Sequence, residues 1–164
     1  MTRLVWLALG LLATACADES PANVAGVYTL NFTAGQNGCN LANWTVGGTA
    51  TGIELDLVQA SGSADVTGQV KGVVGFLLGV YLGTANFSGR VSGRTVDVLL
   101  DGTKSATQGA CTYTYELNLT GDLAGDILTG TLDITTLTNH ATDCGTLEGC
   151  HSMESFNGSR PPTT

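Results

Sequence analysis

The sequence is short of positive charge. Six Lys and Arg stand against 14 Asp and Glu, a net charge of −8 over 164 residues. Arg3 is the sole charge among residues 1–15, so the remainder carries −9. A surface of that sign repels phosphate backbones, which argues against a nucleic-acid partner. Histidine is rarer still, with His140 and His151 alone. His140 with Asp143, and Glu148 with His151, each offer two metal ligands, but both pairs sit in or beside a polar loop where such residues are ordinary. No G-x-S-x-G elbow occurs, so a hydrolase nucleophile has no platform. No C-x-x-C spacing occurs either, which argues against a zinc site through cysteine. Glu54 and Asp56 fall on one face of an extended segment and read as a solvated sheet surface rather than a catalytic pair. No metal, no cofactor and no enzymatic activity are expected. Aromatics are few, at 6%.

Glycine is plentiful, at 23 residues, and 43% of the chain is apolar. That is enough for a core and too much for disorder outside the ends. Apolar residues recur at every second position through 53–59, 64–70, 85–91, 95–100, 111–123 and 127–137, the pattern of half-buried strands. Tyr28, Leu30 and Phe32 mark a first strand within 24–33. Residues 151–158 can close the sheet with Met153 and Phe156. Gly- and Ser-containing turns at 60–63 and 92–94 mark hairpins. Three segments fit G-x-[VL]-x-G, starting at Gly68, Gly89 and Gly121, with glycine expected where the chain reverses. The expected fold is all-β: an antiparallel meander of about eight strands closing into a barrel, with a β-sandwich as the alternative.

The first 15 residues have a positive start and an apolar run too short to span a bilayer, and they end on Ala13-Thr14-Ala15, a small-residue cleavage site. Cys16 follows. The segment Leu12-Ala13-Thr14-Ala15-Cys16 resembles the leader of bacterial lipoproteins, with Ala13 where that family prefers Leu. The resemblance implies a lipid on the Cys16 thiol and a membrane partner through that anchor. Residue 17 is Ala rather than the Asp that retains some lipoproteins at the inner membrane, which points to the outer membrane. The expected organisation is a signal peptide over 1–15, lipidated Cys16 and a polar tether over 16–23, a barrel over 24–158 and a loose tail over 159–164. With Cys16 set aside, Cys39, Cys111, Cys144 and Cys150 form an even set for disulfides, as an exported protein permits. Three pairings are open. The expected one is Cys39–Cys111 with Cys144–Cys150, since residues 144–150 form a loop short enough to be tied locally. Five N-x-S/T sites, at Asn31, Asn43, Asn86, Asn118 and Asn157, are by-products of composition beside such a leader.

Residues 73–82 are the most apolar stretch after the leader. They read as a strand buried on both faces or a helical turn plugging the sheet, with a loop at the mouth of a ligand cavity as the sharper alternative. The candidate ligand contacts are Phe76, Leu77, Tyr81, Phe87, Tyr113 and Tyr115. The meander and its Gly-rich hairpins resemble the small lipocalin-like and avidin-like barrels, and the ending 150–162 resembles that of small bacterial lipoproteins with a similar Cys-flanked loop. The lipocalin G-x-W is absent, because Gly26-Val27-Tyr28 carries Tyr in its place, so no ligand residue is carried over. Two functions are expected ahead of an enzyme. One is an envelope lipoprotein binding a small apolar or amphipathic ligand. The other is an interaction module presenting loops 34–43 and 138–149 to a protein partner.

Overall fold

The computed structural model describes residues 20–162. The leader, Cys16 and the first part of the tether lie outside the described residues, as do Thr163 and Thr164. The alternating segments form β1 (Gly26–Asn37), β2 (Thr49–Gln59), β3 (Asp65–Val70), β4 (Asn86–Ser92), β5 (Thr95–Asp101), β6 (Ala106–Gln108), β7 (Cys111–Ala124), β8 (Ile127–Thr138) and β9 (His151–Ser159). One helix, α1 (Gly72–Tyr81), connects β3 to β4.

The strands run in the order β5-β4-β3-β2-β1-β9-β8-β7, and a β5–β7 ladder joins the two ends. Every pairing is antiparallel, so eight strands close into an up-and-down barrel and β6 adds a short hairpin to β7. Closure removes the exposed edges an open sheet would present, and it excludes the sandwich. The ladder is complete within residues 26–159.

Period-two alternation sends Tyr28, Leu30, Phe32, Leu55, Leu57, Leu117, Leu119, Leu128 and Leu132 inward, where all are buried. At one end the core is solid. The Tyr28 hydroxyl donates to the Val24 carbonyl at 3.0 Å. The Arg160 guanidinium lies 5.6 Å from the centre of the Tyr28 ring. Its Nε donates to Asp126 at 3.0 Å and its Nη1 to the Ala25 carbonyl at 2.6 Å. Burial pushes the Tyr28 phenol pKa up, partly offset by the Arg160 charge. Ser159 and Arg160, expected in a loose tail, are held instead: Ser159 ends β9, and Arg160 is buried and pairs with Asp126. The chain also enters at this end, where the Ala22 amide donates to the Gly93 carbonyl at 2.7 Å.

The repeated glycines divide by role. The trailing members Gly72, Gly93 and Gly125 have φ of 64°, 55° and 63°, the left-handed conformation that turns need. The leading members Gly68, Gly89 and Gly121 lie inside strands and serve clearance instead. A Cβ on Gly89 would stand 2.0 Å from the Asp97 carbonyl oxygen, and one on Gly121 would stand 2.9 Å from the Phe156 ring. The turn explanation thus holds for half of the repeat, and Gly72 opens a helix rather than a hairpin.

Candidate ligand cavity

The end opposite the chain entry is hollow. A cavity of about 250 Å³ opens there between the barrel wall and α1. Fourteen residues line it, thirteen of them apolar, among them Phe32, Ile53, Phe87 and Ile134 on the wall. Val74 and Leu78, four residues apart and so on one face of α1, cover it. The volume lies just below the 300 Å³ at which ordinary small-molecule pockets begin, about right for a short chain rather than a long lipid.

The helix sits where backbone contacts hold it. A Cβ on Gly75 would be 2.1 Å from the Val70 carbonyl oxygen, so glycine lets α1 lie directly on the end of β3. Lys71 pairs with Asp56 at 3.3 Å. At the other end Lys104 Nζ donates to the Val80 carbonyl at 2.9 Å, satisfying a helix-terminal acceptor with a positive charge. The buried-strand and loop expectations are corrected and the helical plug holds in longer form: residues 72–81 form a ten-residue helix over the barrel end. Three glycines, at 72, 75 and 79, interrupt the run, and the positive φ of Gly72 turns the chain out of the sheet. Its outer residues stay in solvent, with Phe76 69% and Tyr81 72% exposed. No helix among the described residues is long and apolar enough to cross a membrane.

The candidate ligand contacts divide accordingly. Phe87 lines the cavity. Leu77, Tyr81 and Tyr115 line a shallow apolar groove beside the helix instead, and Phe76 points to solvent. Tyr113 packs with Cys111, Cys144 and Leu147 in a small separate cluster. Burial raises the pKa of the Tyr115 phenol, with Tyr113 adding to the effect. The two rings meet edge to face at 5.7 Å.

The pairing expected of the cysteines is also corrected. The disulfides are Cys39–Cys150 and Cys111–Cys144. Cys39 follows β1 and Cys150 precedes β9, and those strands are neighbours only because the barrel closes. The 3-10 segment Thr142–Leu147 turns at Gly145, with φ 48°, between Cys144 and Cys150 and sends each to a different partner. His140 Nδ1 lies 2.7 Å from Glu148, and His151 Nε2 lies 2.7 Å from Asp133. Hydrogen bonds from Thr138 and His140 hold the Glu148 pKa low. The two histidines thus belong to separate pairs, and no group of three metal-ligating side chains occurs among the described residues.

Sequence reasoning missed Glu154, the one charged residue on the cavity wall. It is flanked by Ala34 on β1 and Leu132 on β8. Burial pushes its pKa up, and no hydrogen bond or charge among the described residues offsets that. The signal was parity along β9. Phe156 is buried while Met153 is 37% exposed, so the two face opposite ways and cannot both belong to the core. Ser152 and Glu154 share the inward face of Phe156.

The raised carboxyl sets a pH dependence. The folded pKa lies above the ordinary 4.5, so the folded state holds this proton longer than the unfolded chain. Stability from this group is complete below the unfolded value and is lost as pH rises through the folded one. Glu154→Gln keeps the neutral form at every pH. The variant should match the parent in urea midpoint at about pH 3.5 and exceed it at about pH 7.5. An equal difference at both pH values would show that the carboxyl is not desolvated.

Fold and cavity together define a class: a closed up-and-down antiparallel barrel, consistent with the lipocalin-like kind, with an apolar chamber at one end. No family model, curated protein or solved structure matches the chain.

Proposed function

We propose that this is a non-catalytic lipoprotein of the bacterial cell envelope whose barrel holds a small apolar or amphipathic ligand. The observation that carries the reading is the chamber: apolar on all sides but one, and covered by a helix that is itself apolar. An apolar cavity of this size favours a ligand over water, because water needs two or more polar partners to settle in it. The anchor is the lipid on Cys16, and the outer membrane is its address. The described chain joins the barrel at the end opposite the chamber, which supports a mouth that faces away from the anchored surface. A ligand then enters from the side opposite the membrane.

A second reading, the interaction module, draws support from the exposed apolar side chains of α1. Loops 34–43 and 138–149 support it less, since Cys39–Cys150 and Cys111–Cys144 tie them to the barrel rim. Native mass spectrometry separates the two. Mature protein taken from its own envelope should carry one small molecule per barrel that is released on denaturation. Protein that arrives bare in every preparation counts against the ligand barrel. In the same experiment Cys16→Ser should remove the acyl mass and release the protein from the membrane fraction.

A further inference from the structure

Glu154 is out of place in a chamber built of hydrocarbon. Its half-buried carboxylate gives up part of its water and receives no hydrogen bond or counter-charge from the wall. None of the other thirteen lining residues carries a charge, whether on the flanking strands β1 and β8, across the barrel on β2, β3, β4 and β7, or on the covering helix. An anionic ligand would therefore find no counter-charge and would meet a like charge. A cationic one would find its only complement in Glu154, and the net charge of −8 favours the approach of cations to this surface.

We propose that the chamber selects a small amphiphile with a protonated amine head, the ammonium hydrogen-bonding to Glu154 and the apolar body filling the space under Val74 and Leu78. The proposal rests on the ligand-barrel reading and names the ligand class. No covalent step is involved. The ammonium donates to the carboxylate, restores the solvation that burial removed, and favours the ionised form. Binding therefore weakens as pH falls and the carboxyl takes up its proton.

The test is a series of probes with one tail and three heads: octylamine, octanol and octanoate, titrated by calorimetry into the mature chain starting at residue 17, the strand ladder being complete within residues 26–159. Octylamine should bind about tenfold or more tighter than octanol, the worth of one charge-assisted hydrogen bond, and octanoate should be weakest. Glu154→Gln should abolish the advantage of the amine over octanol. The carboxyl carbon of Glu154, followed by NMR, should titrate at lower pH with octylamine bound than without it. Equal binding of all three heads would overturn the amine inference and leave the apolar chamber as the ligand site. An amine preference that survives Glu154→Gln would also overturn it, assigning the preference to the acidic surface. If none of the probes binds, the inference and the ligand-barrel reading fall together.

Discussion

Replacing Cys39 and Cys150 together by Ser should cost about 5 kcal/mol, much of the stability of a domain this size. The bridge closes a separation of 111 residues, and in the chain-entropy account long closures restrict the unfolded chain most. Loss of Cys111–Cys144, with a separation of 33, should cost about 4 kcal/mol. Urea midpoints of the two double variants should fall in that order. The connectivity has its own readout. Cleavage after Glu54, Glu116, Glu148 and Glu154 places each of the four cysteines on a different peptide. Without reduction, the peptide 149–154 should travel with the one ending at Glu54, and 55–116 with 117–148. Finding 117–148 joined to 149–154 would restore the local pairing and contradict the contact between the ends of β1 and β9.

Gly130→Val should destabilise the barrel by about 3 kcal/mol or more, beyond what an ordinary surface substitution costs. Gly130 pairs with Gly121 across β7 and β8. A Cβ at 130 would stand 2.0 Å from the Thr120 carbonyl oxygen and 2.6 Å from the Gly121 Cα. Both obstacles are backbone, so no rotamer change relieves them and the ladder must part. Gly79→Ala is the contrast. Gly79 lies within α1 with nothing inside 4 Å of an added Cβ, and the change should gain about 1 kcal/mol through helix propensity alone. Thermal melts of the two variants should move in opposite directions. A Gly130→Val melt close to the parent would mean that β7 and β8 approach less closely than described.

Much of the barrel is legible along the chain because strand alternation is a local property. Tyr28, Leu30 and Phe32, or Leu117 and Leu119, announce their inward face within a few residues, and the hairpins between 53 and 100 follow from short turns. The inward face of the barrel wall, cavity lining included, is thus readable from neighbours. The cover over the hollow end is not. Residues 73–82 are apolar in every direction, and such a run has no period that separates strand from helix. The close seating of Gly75 on Val70 and the hold of Lys104 on the carbonyl of Val80 decide for the helix, and both contacts depend on the finished barrel.

What the sequence by itself determined is the eight-strand antiparallel meander, the one apolar face of each strand and the even set of four cysteines, because period, turn chemistry and residue count are written locally. Only the tertiary structure decided which sulfurs meet and that Glu154 is the one charged residue on the wall of an apolar chamber. The reason is closure: bending the meander into a ring brings together strand ends far apart in the chain, and no local pattern records which ends those are.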